Sequence, residues 1–593
     1  MNLKYVFVFL TGLASTSLAQ EAADSVAPEG GGAGEVITST EVAEALRTKG
    51  AGQPVQAQEW MVAAAHPLAV EAGARILRDG GTAADAMIAV QAVLGLVEPQ
   101  SSGLGGGAFL VWWDEATQTL TTLDGRETAP VAATPQLFQT KDGEPKGFYE
   151  SVVGGLSVGT PGTPALLETA HQRWGRSEWA DLFTDAITLA EDGFHVSERM
   201  SQSIVGNADN LSRFDDTRDY FLPNGTALQP GDLLRNPDYA QVLRDLAQNG
   251  AGIFYVGPIA DDIVHTVQQA PGNPGVLGAI DLFLYQVKER PAVCADYRDH
   301  QVCGMGPPSS GALSVGQILG MLEGYDLAAL GPDSVEAWRL IGDASRLAFA
   351  DRGRYIADTD YVPVPVKGLV AKDYLAERGK LLGGDDALPE VAPGTPEFDH
   401  AFNLSDDASI ELPSTSHISI VDSYGNALSM TTTIENAFGS RLMVRGFLLN
   451  NELTDFSFRS HRDGVPVANR VEPGKRPRSS MAPTIVFKDG APVLVIGSPG
   501  GSRIINYVAK AIIAHLDWGM DVQQAVAMPH LVNRFGTYDI ESETSAMEHW
   551  VPLTDLGYDV KVRDMTSGLH AISIGNSLLG GADPRREGVV LGD

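Results

Sequence analysis

The chain has 593 residues and a formal net charge of −33 at pH 7, from 75 Asp and Glu against 42 Lys and Arg. Such a surface repels phosphate backbones and anionic lipid, which argues against nucleic acid as a partner. Hydrophobic residues make up 44% and charged residues 20%, the balance of a chain that buries a core, so both a wholly disordered chain and a single small binding module are excluded.

In chain order, Met1-Asn-Leu-Lys4, an apolar run from Tyr5 to Leu13 and the small residues up to Ala19 predict a secretory signal over residues 1–19, cut after Ala19. The apolar run is far shorter than the ~20 residues that span a bilayer, so no membrane span is expected and a bacterial periplasmic or secreted location follows. Residues 20–59, opening on an Ala-, Glu-, Gly- and Ser-rich stretch, read as a flexible lead-in, with the folded part starting near Trp60. Residues 66–97 are Ala-rich with apolar positions at helical spacing, and strands are predicted at 109–113 and 120–123. Helical patterns return at 164–173, 179–191, 239–250, 315–323 and 334–350. The only two cysteines, Cys294 and Cys303, flank a polar turn between two short β-like runs, which predicts a cross-hairpin disulfide in an oxidising compartment.

Between 382 and 413 the composition turns to Gly, Pro, Asp and Glu without periodicity, predicting an exposed, mobile segment. Strands follow at 416–421, 427–434, 446–449, 484–487 and 493–496, then a helix at 503–516. Helical stretches at both ends with two groups of strands between them predict a layered α/β architecture.

Several motifs carry chemistry or its absence. Gly103-Leu-Gly105-Gly106-Gly107-Ala108 looks like a dinucleotide fingerprint, but it precedes a strand where that motif precedes a helix, and is rejected. Gly155-Leu-Ser157-Val-Gly159 has the spacing of a nucleophile elbow, yet Pro161 and Gly162 delay the next helix, leaving Ser157 a runner-up. The histidines show no metal-ligand spacing, so no metal is expected. A hairpin turning at Tyr424-Gly425 gives paired residue numbers that sum to about 848 or 849, which sets Thr415 beside Thr433. Thr415, His417, Ser419, Ser429, Thr431 and Thr433 then share one face, while Ile418, Ile420, Leu428 and Met430 take the other, toward a core. Finally, Gly497-Ser-Pro-Gly500-Gly501-Ser-Arg503 joins a strand to a helix. It presents backbone N–H groups suited to a developing oxyanion, and it lacks the Lys of a phosphate loop.

These residues carry a resemblance. Thr415-Ser-His417, Thr431-Thr-Thr433-Ile-Glu435, Asn450-Asn-Glu452-Leu-Thr-Asp455, Lys475-Arg-Pro-Arg-Ser479-Ser480-Met481 and the Gly497 to Arg503 turn resemble the small subunit of gamma-glutamyltranspeptidases. Pro99 to Gly107, Asp124-Gly-Arg126-Glu127 and Pro307-Pro-Ser-Ser-Gly311 are similar to the large subunit of that family. The likeness runs from about Trp60 to Asp583-Pro-Arg585.

The resemblance implies an N-terminal nucleophile hydrolase with a four-layer αββα sandwich, made as a precursor that cuts itself between Ser414 and Thr415. It implies a large subunit over 60–414 and a small subunit over 415–593, forming one intertwined unit. It further implies Thr415 as nucleophile, Thr433 orienting it, and the N–H groups of Gly500 and Gly501 as the oxyanion site. Arg126, Ser479 and Ser480 are implied to hold the α-carboxylate of the glutamyl group, and Glu435, Glu452 and Asp455 its ammonium. The implied donors are glutathione and other γ-glutamyl compounds, with water, amino acids or peptides as acceptors, and the implied mechanism requires no cofactor. Two departures from the family pattern stand out. Glu435 takes a position that is Asn in many members, and the stretch from Phe456 to Arg470 looks shorter than the lid of lid-bearing members, so a more open site is expected. The competing readings are a glutaryl or cephalosporin acylase of the same fold, and a non-catalytic periplasmic binding protein that stays uncut.

Overall fold

In a computed structural model of the chain, residues 20, 36–400, 403–407 and 409–593 are described; the expected signal segment lies outside them. Two antiparallel seven-stranded sheets pack face to face. The first runs, edge to edge, Val589–Gly592, Met61–Ala64, Ser416–Val421, Ala427–Thr433, Gly107–Asp114, Thr119–Gly125 and Lys288–Arg290. The second runs Val55–Ala57, Leu578–Ala582, His570–Ile574, Ala491–Gly497, Thr484–Lys488, His300–Gly304 and Val293–Tyr297.

Alternation along the strands divides their side chains among three cores. Ile418, Ile420, Leu428 and Met430 face outward from the first sheet against the helices Pro67–Arg78 and Ala83–Val97. All of Ala83–Val97 is buried, which its small residues permit, and Thr82 and Asp85 form a capping box at its start. Val302, Val486, Leu494 and Ile496 face outward from the second sheet against Gly311–Leu322, Val335–Tyr355 and Ile504–Leu516. Met61, Val111, Trp113, Val421, Ile485, Phe487 and Val495 fill the space between the sheets. The result is the αββα sandwich expected from the resemblance.

The hairpin pairs Ser416 with Thr432 and Val421 with Ala427, the smaller of the two predicted register sums. Asp422 fixes its turn by accepting from the backbone N–H groups of Tyr424 and Asn426, with Gly425 at φ +84°. Cys294 and Cys303 stand opposite each other on neighbouring strands and are bonded, as predicted.

Two expectations are corrected. The lead-in is not flexible throughout: Thr40–Gly50 is a helix capped by Ser39, with Val42, Ala45 and Leu46 buried, and Val55–Ala57 is an edge strand of the second sheet. Residues 382–413 contain almost no regular structure, but their end is not exposed, since Glu411 and Leu412 are 5% and 2% exposed. The strands after residue 569 that complete both sheets were not among those predicted. Among the described residues no helix is long and apolar enough to cross a membrane.

Candidate active site

Register decides which hydroxyls meet. Ser416 opposite Thr432 makes Thr415 and Thr433 the next facing pair, and the Thr415 hydroxyl donates to Thr433 Oγ1 at 3.1 Å. Thr433 Oγ1 also accepts from the N–H of Glu435 at 2.9 Å, which fixes its orientation. The rest of the hydroxyl-rich face has a different fate. Ser429 donates to the carbonyl of Ile496 and Ser419 to that of His570, so these side chains tie the two sheets together. His417 lies between Thr431 and Ser419, and burial, with His570 nearby, pushes its pKa well below the usual value.

Thr415 has φ +102°, a region that a β-branched residue strongly disfavours, so backbone strain is stored at the Ser414–Thr415 link. The flanking groups are held. The Ser414 hydroxyl donates to the carbonyl of Gln100, and Arg586 Nη1 donates to the carbonyl of Thr415 at 3.2 Å. The Ser414 carbonyl accepts from the N–H of Gly500 at 3.2 Å. Gly500 and Gly501 have φ +131° and +55°, and a Cβ on Gly501 would lie 2.7 Å from the carbonyl oxygen of Leu412. The rejected glycine run has an equally local purpose, because a Cβ on Gly106 would lie 2.0 Å from the carbonyl oxygen of Thr433.

Glu452 and Asp455 belong to one 3-10 turn, Glu452–Asp455, and both pair with the buried guanidinium of Arg126. Arg126 also donates to the carbonyls of Pro477 and Arg478. Glu435 accepts from the side chain of Asn451 and, at 3.3 Å, from the N–H of Leu412. Burial pushes the carboxyls of Glu435, Glu452 and Asp455 well above the usual range. Arg126 opposes this at Glu452 and Asp455, while Asp455 adds to it at Glu435.

On the opposite wall Ser480 Oγ donates to Glu411 Oε2 at 2.5 Å, and Ser479 Oγ accepts from the N–H of Met481 at 3.1 Å. Arg352, on the helix Val335–Tyr355, pairs with Glu411 and donates to Ser480 Oγ at 2.8 Å.

The cavity between these walls brings together Arg126, Thr415, Thr433, Glu435, Glu452, Asp455, Ser479, Ser480 and Gly501. Gly500 reaches the same point through the Ser414 carbonyl. Glu411 and Leu412 line the cavity as well, and its volume is about 20 Å³, room for roughly one water molecule. Sequence reasoning missed both, and missed Arg352; a polar Gly/Pro/Asp/Glu run and one arginine in a helix give no local signal of a site. No residue from 456 to 470 lines the cavity, and Phe458 in that stretch stacks 4.6 Å from Phe138. Ser157 is no nucleophile: it is buried, and its hydroxyl donates to the carbonyl of Val152 at 2.6 Å.

An αββα sandwich with a strained threonine opening a central strand and facing a cavity defines the N-terminal nucleophile hydrolase class. The chain belongs to the gamma-glutamyltranspeptidase family, whose sequence model matches residues 69–593. It is 37% identical over 549 residues to a protein named glutathione hydrolase proenzyme from Bacillus subtilis, covering 90% of this chain and 92% of that one. Among solved structures, a cephalosporin acylase from Bacillus halodurans matches with a TM-score of 0.80 at 26% identity, over 91% of this chain and 97% of that one. The gamma-glutamyltranspeptidase of Helicobacter pylori matches at 33% identity with a TM-score of 0.55, over 57% of this chain and 96% of that one.

Proposed function

We propose that the chain is a precursor that cuts itself between Ser414 and Thr415 and then transfers γ-glutamyl groups from glutathione and related donors to water, amino acids or peptides. The observation that carries this reading is the approach of three groups at one peptide bond. The Thr415 hydroxyl rests on Thr433, its backbone is strained, and the preceding carbonyl already sits on the Gly500 N–H.

In maturation Thr415 Oγ adds to the Ser414 carbonyl and the hydroxyl proton passes to the departing nitrogen, giving an ester and a free α-amine. Water then hydrolyses the ester to a Ser414 carboxylate and the Thr415 hydroxyl. The new α-amine, of a type that titrates near ~7.7–8.0, takes the hydroxyl proton in each later turnover. Thr415 Oγ attacks the γ-carbonyl, the oxyanion is received by the N–H groups of Gly500 and Gly501, and collapse expels the donor's amine with the proton. Water or an acceptor amine attacks the resulting ester and restores Thr415. One oxyanion donor contributes about 2.7–4 kcal/mol to such a transition state. Glu435, Glu452 and Asp455 supply the negative charge for the donor ammonium, whose arrival favours their ionised forms.

The acylase reading draws on the likeness to the cephalosporin acylase, but a glutaryl group has no ammonium to meet these three acids. Processed protein is expected to release p-nitroaniline from L-γ-glutamyl-p-nitroanilide far faster than from glutaryl-p-nitroanilide. The reverse preference would make it an acylase, and an uncut, inactive chain would make it a binding protein. The predicted leader and the disulfide support a periplasmic or secreted site of action, which enzyme assays on the osmotic-shock fraction would check.

A further inference from the structure

We propose that Arg441 is a positioning residue for donor recognition: from behind the acidic wall it fixes the side chain of Glu435 through Asn436 and Asn451, and its positive charge keeps that carboxylate ready for the ammonium of a γ-glutamyl donor. This rests on the γ-glutamyl reading above and adds a residue that does not itself line the cavity.

Arg441 is completely buried, yet none of the described carboxylates bonds to it. Its guanidinium donates to three neutral acceptors, the carbonyl of Gly439, Asn207 Oδ1 at 2.9 Å and Asn436 Oδ1 at 2.6 Å, and its Nε has no acceptor among the described residues. Burial lowers its pKa to about 10, which leaves it a cation at neutral pH; Tyr149 and Glu435 favour the charge and Arg213 opposes it. A cation buried without a paired anion is costly, so a use for its charge is to be sought close by.

The hydrogen bonds lead to Glu435. Asn436, which accepts from Arg441, gives its backbone N–H to Asn451 Oδ1 at 2.9 Å. With its oxygen engaged there, the Asn451 amide turns its nitrogen the other way, and Nδ2 donates to Glu435 Oε2 and to Thr454 Oγ1. Both N–H groups of that amide are used, so its orientation is fixed. Glu435, Phe438 and Arg441 have φ +74°, +64° and +63°, a region that residues other than glycine seldom occupy, and the bonds from Arg441 to Asn436 and Gly439 brace the loop in this shape.

The charged and titratable groups around Glu435 are Glu452 and Asp455 of the 3-10 turn, Tyr149 of the helix Phe148–Val152, Arg441 of its own loop and, after the cut, the α-amine of Thr415. Burial and Asp455 drive Glu435 toward its neutral form, and Arg441 works against them. Arg126 is already engaged by Glu452 and Asp455. The N–H of Leu412 also holds Glu435, but it lies on the other side of the cut, whereas Asn436, Arg441 and Asn451 belong to the same fragment as Glu435 and stay with it.

The test compares L-γ-glutamyl-p-nitroanilide with glutaryl-p-nitroanilide, which lacks only the α-ammonium. In processed Arg441→Gln, KM for the first donor is expected to rise about 5- to 20-fold with kcat nearly unchanged, while kcat/KM for the second, slow as it is, stays within about two-fold. Losing the cation pushes the Glu435 carboxyl further up, so the acid limb of kcat/KM for the first donor is expected to move to higher pH by about half to one unit. In a Glu435→Gln background, Arg441→Gln is expected to add nothing further. No change in KM, an equal fall for both donors, or the same additional loss without Glu435 overturns the proposal. If Arg441→Gln yields no processed protein, Asn436→Ala keeps the cation and cuts the link; a smaller rise in KM confined to the γ-glutamyl donor is then expected, and an equal fall for both donors or none overturns the proposal. Wild-type protein that fails to turn over L-γ-glutamyl-p-nitroanilide sinks the γ-glutamyl reading itself, a failure visible before any variant is made.

Discussion

Thr415 combines a hydroxyl held by Thr433 with a backbone angle of +102° that threonine rarely adopts. If the strain and the hydroxyl together drive the cut, the two are separable by substitution. Thr415→Ser keeps a hydroxyl in the same register and is expected to be processed. Thr433→Val removes the hydroxyl that receives both the Thr415 hydroxyl and the Glu435 N–H, and the appearance of the second fragment on a denaturing gel is expected to slow by about 10- to 100-fold. Equal rates for Thr433→Val and wild type would remove Thr433 from the mechanism. Both residues were legible in the sequence because period-two alternation and a short turn narrow a hairpin's register to two neighbouring sums, and the three residues between Asp422 and Asn426 select the one that pairs them. Glu411 and Arg352 were not, because their meaning lies in an ion pair between residues 59 positions apart, and composition marks Glu411 only as part of a polar run.

At the scale of elements, the hairpin Val293–Tyr297 and His300–Gly304 forms one edge of the second sheet and is closed by the disulfide. A short loop of this kind contributes roughly 2–3 kcal/mol by restricting the unfolded chain. Cys294→Ser/Cys303→Ser is therefore expected to lower the apparent Tm while leaving donor kinetics unchanged, since neither cysteine touches the cavity; an unchanged Tm would show that the sheet edge needs no staple. The helix Thr40–Gly50 shows where composition misleads. Ser39 caps it, Glu41 lies in its first turn, and Arg47 and Lys49 lie in its last, all readable signals. They were masked by the Ala- and Gly-rich residues before them, which set the boundary of the lead-in too late.

At the scale of the whole molecule, residues on both sides of the cut alternate within each sheet. In the first, Ser416–Val421 and Ala427–Thr433 lie between Met61–Ala64 and Gly107–Asp114. The two fragments are thus expected to co-migrate in native size exclusion and to separate only in denaturant; separation without denaturant would contradict this interlacing. Stability also carries a pH signature from Glu587, whose pKa is raised from 4.5 to about 7 by burial and by Glu98. The folded state holds this proton more tightly than the unfolded state, so the contribution is complete below pH 4.5 and is lost as pH rises through 7. At pH 8 Glu587→Gln is expected to be more stable than wild type by roughly 2–3 kcal/mol, with the difference vanishing near pH 4 in denaturant titrations. The central claim, that Thr415 is both the agent of its own release and the nucleophile, is tested most directly by the intact masses and N-terminal sequences of purified wild type and Thr415→Ala. The account predicts two wild-type fragments, the second beginning at Thr415, and a single uncut Thr415→Ala chain; an intact wild-type chain, a cut at another bond, or cleavage of the alanine variant would contradict it.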